Sequence, residues 1–288
     1  MDIQWYPGHM TKSIRMMQEQ IALVDIVIEL LDARAARSSK NPDIDQMARN
    51  KKRIIVLNKS DLANAKINER WRSFYLEQGF RVIIADSLSG KGLGEITTLS
   101  LSLMAEKIER EKKRGRIFVP VRAMIAGVPN VGKSTLINRY VGKSPAKTAN
   151  RPGVTRGRQW IRIKRGFELL DTPGILWPKL DTPEVGINLA ITGAITDNVT
   201  DVVDLSLNLI KKLTKLSPDS LVKRYGLEPE LGRMPFELLR EIAQARSYEK
   251  KAGEYDLERA ASAIIGDFRS GRLGRISLED PASRCLSE

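Results

Sequence analysis

The 288-residue sequence holds a single cysteine, Cys285, and a single histidine, His9. Those counts exclude a disulfide within the chain and any zinc site built from cysteine and histidine ligands. Long apolar runs are also missing: the longest stretch, Ile21 to Leu31, is interrupted by Asp25 and Glu29, and falls well short of the roughly 20 residues that span a bilayer. The first ten residues, MDIQWYPGHM, show no basic segment leading into an apolar core, so no secretory or transit signal is expected and the expected location is the cytoplasm, without a membrane partner. Aromatic residues are scarce at 6%, yet hydrophobic residues make up 42% and charged residues 29%, the ordinary balance of a globular chain with a substantial core. This length accommodates one domain of about 150 to 200 residues and a smaller second one.

Acidic residues are short in one place. The net charge is +13, and residues 111–200 carry 16 basic against 6 acidic side chains, whereas residues 201–288 carry 15 of each. From Ser134 to Phe167 there is no carboxylate beside Lys143, Lys147, Arg151, Arg156, Arg158, Arg162, Lys164 and Arg165. Such a stretch suits a polyanionic partner, the alternative being a solvated face with no ligand.

What the chain does have is alternation. IVIELLDAR near Asp25 to Arg34, RIIVLN ending at Asn58 and FRVIIADS ending at Ser87 are short β-branched runs separated by helix-like segments, which predicts parallel βα units. A basic linker, EKKRGR at Glu111 to Arg116, leads to VPVRAMIAG, a buried-strand candidate ending at Gly127; QWIRIK and FELLD then read as a hairpin-like pair around Arg165 and Gly166. Beyond Thr200 the strand signal fades, and DLSLNLIKKL, PFELLREIAQA and LERAASAIIGDF predict a small helical domain. The expected division is 1–198 and 199–288.

Gly127-Val-Pro-Asn130-Val131-Gly132-Lys133-Ser134-Thr135 fits the phosphate-binding pattern G-x-x-x-x-G-K-[ST] where a strand should turn into a helix. Its glycines let backbone amides close on phosphate oxygens, Lys133 neutralises the terminal phosphates, and the Ser134 hydroxyl reaches Mg²⁺. Asp171-Thr-Pro-Gly174 ends a strand further on, where a carboxylate for Mg²⁺ and a glycine near the γ-phosphate are required. Asn58-Lys59-Ser60-Asp61 closes another strand. The Asp61 carboxylate can accept from guanine N1–H and its 2-amino group together, a match adenine lacks, so GTP is favoured over ATP. Asp86 and Ser87 end the next strand, at an edge suited to backbone contact with the base.

In ordinary GTPases the phosphate loop comes first and the guanine motif late; here the order is reversed. That permutation, with WYPGHM at Trp5 to Met10, DAR at Asp32 to Arg34, GVPNVGKST and RPGVT at Arg151 to Thr155, closely resembles the YlqF/RbgA family of circularly permuted GTPases over essentially the whole chain. The RsgA-like and YqeH-like permuted ribosomal GTPases fit less well, since they carry a zinc site that this composition cannot build. The resemblance implies an α/β class: a circularly permuted P-loop GTPase domain followed by a small all-α carboxyl-terminal domain. It implies GTP, GDP and Mg²⁺ as ligands, and a large-subunit assembly factor that binds the 50S ribosomal subunit and its rRNA and is monomeric off the ribosome. Ras-like enzymes orient water with a glutamine after D-x-x-G; this chain has Ile175 there, and the resemblance points to His9 as the catalytic residue instead. By the same resemblance Thr155 is the switch threonine for Mg²⁺, and Asn130 matches a potassium ligand of related GTPases. A nucleotide-sensing RNA-binding module, in which hydrolysis is dispensable, is the competing reading.

Overall fold

The computed structural model describes residues 10–142, 160–164, 166–170, 176, 180, 182–197, 200–227, 233–250 and 254–282. Helix α1 (Met10–Ala22) precedes β1 (Ile26–Asp32); α2 (Pro42–Met47), β2 (Lys52–Asn58), α3 (Ala65–Glu77), β3 (Arg81–Ile84), α4 (Leu93–Leu103) and α5 (Ala105–Lys113) follow. Then come β4 (Val121–Ala126), α6 (Lys133–Val141), β5 (Trp160–Lys164), β6 (Phe167–Leu170) and α7 (Pro183–Thr192). Helices α8 (Val202–Leu216), α9 (Pro218–Tyr225), α10 (Pro235–Ala245) and α11 (Leu257–Arg269) follow among the described residues.

The strands form one six-stranded sheet in the order β3-β2-β1-β4-β6-β5. All neighbours pair in parallel except β5 with β6, the expected hairpin-like pair, where Trp160 faces Leu170. Successive side chains of a strand point to opposite faces, and here both faces are covered. Ile26, Ile28 and Leu30 of β1, with Ile54 and Val56 of β2 and Ala123 and Ile125 of β4, pack in one core. Val27, Met124, Ala126 and Leu170 pack against Met17 and Ile21 of α1, while Leu31, Ile55 and Leu57 meet Trp71 and Tyr75 of α3. The near-continuous apolar runs of the sequence therefore reflect burial on both sides. The chain builds β1, β2 and β3 outward in one direction, then places β4 on the other side of β1. Ligands bind at such a reversal, at the carboxyl ends of the strands.

Side-chain caps mark helix starts: Asn64 accepts from the amides of Lys66 and Ile67, and Asp201 from those of Val203 and Asp204. One boundary and two helices differ from the sequence reading. The expected linker from Glu111 begins as the last turn of α5, because Glu111 is buried and its carboxylate draws in Arg114 and Arg116. Helix α7 and helix α9, the latter eight residues from Pro218 to Tyr225 closed by the left-handed cap Gly226, are additional to the expected elements. The expected division at 198 falls on a residue outside those described. The core that covers one sheet face runs without a break into Leu205, Leu209, Leu239, Ile264 and Phe268.

Candidate nucleotide site

Asn58 ends β2 opposite Asp32 of β1, and its side chain is buried where three loops meet. Its Nδ2 donates to the Val131 carbonyl at 2.8 Å, and its Oδ1 accepts from the Ser87 amide at 3.0 Å and the Ser87 hydroxyl at 2.8 Å. One amide thus joins the loops after β2, β3 and β4. Gly132 makes this approach feasible: a Cβ there would lie 2.3 Å from Asn58 Nδ2, and its φ is +107°, a region open mainly to glycine.

Lys59 follows with φ +58°, and its ammonium reaches across the strand ends. It donates to the Asn130 carbonyl at 2.7 Å and to the Asp32 carboxylate at 3.1 Å. Ser60 is buried, its amide bonded to the Ala85 carbonyl at 3.1 Å. Asp61 is exposed on the same edge. Asp86 is turned onto its own loop, where its Oδ1 accepts from the Leu88 amide at 2.8 Å and the Ser89 amide at 3.3 Å. Partial burial raises its pKa, but the Ser89 hydroxyl, these two amides and the nearby Arg139 prevail and hold its carboxyl below the usual value.

After β4, Gly127 turns with φ +148°, and a Cβ there would lie 2.6 Å from the Leu30 carbonyl oxygen. Lys133 is buried inside the loop, its Nζ donating to the carbonyls of Gly127 at 3.0 Å and Val128 at 2.9 Å. Ser134 and Thr135 are exposed on the first turn of α6, whose N-cap is Gly132, a residue with no side chain to occupy the first amides. A positive helix end, a lysine and two hydroxyls therefore face one place, an arrangement suited to phosphate. Asn130 is held at φ +57°, and its Nδ2 donates to the Gly193 carbonyl at 2.7 Å.

The electrostatic centre behind the loops is Asp32. Arg34 grips it bidentately, Nε to Oδ1 at 2.9 Å and Nη2 to Oδ2 at 2.8 Å, with Lys59 on the second oxygen. Burial raises the carboxyl's pKa, but the two cations prevail and hold it well below the carboxylate range. Desolvation also lowers Lys59 from the usual lysine value, partly offset by Asp32. Asp32 and Arg34 stand in the DAR motif, and its spacing does not predict this clamp. Nor does it predict the path of the chain after α11. Arg275 donates to the Ser60 carbonyl at 3.1 Å, the Ile276 amide to Leu62 at 3.0 Å, and the Leu278 amide to Arg34 at 2.7 Å. Glu279 then accepts from the amides of Arg37 at 2.8 Å and Ser38 at 3.1 Å. His9, Thr155, Asp171 and Gly174 lie outside the described residues.

Known proteins resemble the chain over nearly its whole length. The model of the 50S ribosome-binding GTPase family matches residues 122–231. A ribosome biogenesis GTPase A of Priestia megaterium is 43% identical over 98% of both chains, and that of Thermotoga maritima is 30% identical over 97% of this chain and 95% of its own. Among solved structures, GNP-bound YlqF from T. maritima superposes with a TM-score of 0.65 at 28% identity, over 95% of this chain and all of that one. A GDP-bound YlqF structure gives 0.64 over 93% and all of that chain. With its phosphate loop following the strand that a permuted GTPase domain requires, this chain is a GTPase and belongs to the ribosome biogenesis GTPase A family.

Proposed function

We propose that this chain is a GTP-hydrolysing assembly factor for the large (50S) ribosomal subunit, binding pre-ribosomal rRNA in its GTP form and leaving on hydrolysis. The observation that carries the nucleotide part is Asn58, whose one side chain ties the Val131 carbonyl and Ser87 together beside an exposed Asp61. In this reading Asp61 accepts from guanine N1–H and the 2-amino group, Lys59 and Ser60 shape that contact, and Asp86 and Ser87 fix the loop beside the base. Backbone amides from Asn130 to Thr135 surround the phosphates, and Lys133 leaves its loop carbonyls for phosphate oxygens.

The oxygen donors fit a hard cation. Ser134 is exposed on the helix turn that faces the phosphates, and Asp171 and Thr155 are its proposed companions around Mg²⁺. When bound, the ion neutralises charge developing on the phosphates. Asn130 is the proposed potassium ligand through Oδ1, since Nδ2 is taken by Gly193. Gly174 approaches the γ-phosphate, an assignment resting on its place in the DTPG motif, and His9 orients the attacking water, an assignment resting on the family resemblance. The carboxylate-free stretch 134–167 is the proposed rRNA contact, with a salt-dependent affinity.

The test is GTP and ATP turnover with and without purified large subunits, in potassium and in sodium, for wild type and His9→Ala. The reading expects GTP-specific turnover, slow alone, faster with the subunit and in potassium, and lost in the variant. Turnover indifferent to subunits would remove the partner; undiminished turnover in His9→Ala would remove His9. A variant dead in hydrolysis that still completes assembly would favour the nucleotide-sensing binding module.

A further inference from the structure

Asn130 is held from two sides, and both holds end on the same helix turn. From its carbonyl the path runs to Lys59 Nζ at 2.7 Å, to Asp32 at 3.1 Å and to Arg34 at 2.8 Å. Arg34 is fully buried, and its Nη1 lies 3.4 Å from the carbonyls of both Phe268 and Arg269, with the guanidinium 5.1 Å from the centre of the Phe268 ring. Those carbonyls belong to the last turn of α11, where the negative helix end favours a cation, and the Phe268 carbonyl also accepts from the Gly271 amide at 3.1 Å.

From the Asn130 side chain the path runs the other way. Nδ2 donates to the Gly193 carbonyl at 2.7 Å, and Gly193 is the left-handed residue that closes α7. The last α7 carbonyls, of Ala190 and Ile191, accept from Arg269 Nη2 at 2.8 Å and Nε at 3.1 Å. Asp197 fixes the same guanidinium, at 2.7 and 3.0 Å. Arg269 also crowds Gly193, where a Cβ would lie 3.3 Å from its Nε. The result is a closed circuit of hydrogen bonds through the phosphate loop, the guanine motif, the DAR motif, α11 and α7.

We propose that the last turn of α11 is a positioning element for the nucleotide loops, with Arg269 and Arg34 as its positioning residues. Neither residue faces the nucleotide; each acts on Asn130, Arg269 through α7 and Arg34 through Asp32 and Lys59. The inference rests on the nucleotide-site reading above. It extends that reading by making nucleotide retention depend on the helical carboxyl-terminal region. Coupling between two sites is reciprocal, so bound nucleotide protects the α11 turn to the same degree that the docked turn retains nucleotide. It also connects any displacement of α11 by a partner to the release of GDP.

The experiment follows dissociation of a fluorescent GDP analogue from the full chain, for wild type, Arg269→Ala, Arg269→Lys and Arg272→Ala. Arg272 pairs with Asp267 at 3.0 Å beside the same helix end and stands outside the circuit, so its variant reports loosening of α11 alone. Arg269→Ala is expected to release the analogue about tenfold faster, in the usual range for coupled sites. Arg269→Lys should recover part of that loss, and Arg272→Ala should lower the melting temperature at the wild-type release rate. A release rate for Arg269→Ala within about twofold of wild type, the scatter expected of independent sites, would overturn the proposal. So would equal acceleration by Arg272→Ala. Hydrogen exchange on the wild type alone provides the second measurement: amides at the end of α11 should exchange about tenfold more slowly with GDP bound, and unchanged exchange would overturn the coupling. A wild type that binds no guanine nucleotide would instead end the site reading itself, and is visible before any variant is made.

Discussion

At the scale of single residues, the site depends on Asn58 coming within hydrogen-bond reach of Val131, which requires a bare Cα at Gly132. Gly132→Ala introduces both a Cβ 2.3 Å from Asn58 Nδ2 and a strained φ of +107°. Strain and a lost buried hydrogen bond together predict a loss of about 2 to 4 kcal/mol in nucleotide binding, roughly thirtyfold to a thousandfold in Kd. Titration calorimetry with GDP checks it, and an unchanged Kd would show that the loop relaxes around the methyl. The motifs that the described residues bring together, 58–61 and 130–135, were legible as patterns, because each position has to be of one chemical type in a narrow spacing. Asp86 was legible only as a position: read as an edge residue near the base, it turns its carboxylate to the amides of Leu88 and Ser89. Short polar side chains that can bond their own loop compete locally with any more distant role.

At the scale of elements, alternation of apolar residues was enough to locate the strands, since burial on both faces leaves few positions for polar side chains. Glu29 and the terminal Asp32 are the exceptions in β1; Glu29 is buried, paired with Arg53 and accepting from the Asn41 amide at 3.3 Å. Desolvation raises its pKa in spite of that cation. Helix α9 leaves no clear period in the sequence because its eight residues span barely two turns, too few for a helical period to stand out. What holds the helices of the carboxyl-terminal region together was also hidden. Asp267 of α11 accepts from Arg224 at 2.6 and 3.0 Å, Tyr225 at 2.9 Å and Arg272 at 3.0 Å, partners that no local spacing could have nominated. Its burial raises its pKa, yet these donors hold the carboxyl below its usual value. Asp267→Ala leaves those donors around an empty centre and should cost about 2 to 4 kcal/mol of stability, with Asp267→Asn losing less. Urea unfolding checks this; midpoints within error of wild type for both would mean that apolar packing alone holds α9 to α11.

At the scale of the whole molecule, Asp32 is where pH acts on the assembled fold. Its folded pKa lies below the ordinary 3.8, so on acidification the unfolded chain takes up the proton first. The stability it contributes is complete above about pH 5 and is lost as the pH falls through the ordinary value toward the folded one. Urea midpoints measured from pH 7 to pH 3 should therefore fall more steeply for wild type than for Asp32→Asn, which starts lower; parallel slopes would remove Asp32 from the acid response. The permuted order of motifs, the guanine preference and the class of fold were determined by the sequence itself, because they depend on residue type, spacing and order along one dimension. The circuit through Arg34 and Arg269, the run of residues 275–279 along the guanine motif and the gathering of arginines on Asp267 were decided only by tertiary structure. Each joins groups far apart in the chain whose chemistry is ordinary until packing removes them from water and leaves them one another as partners.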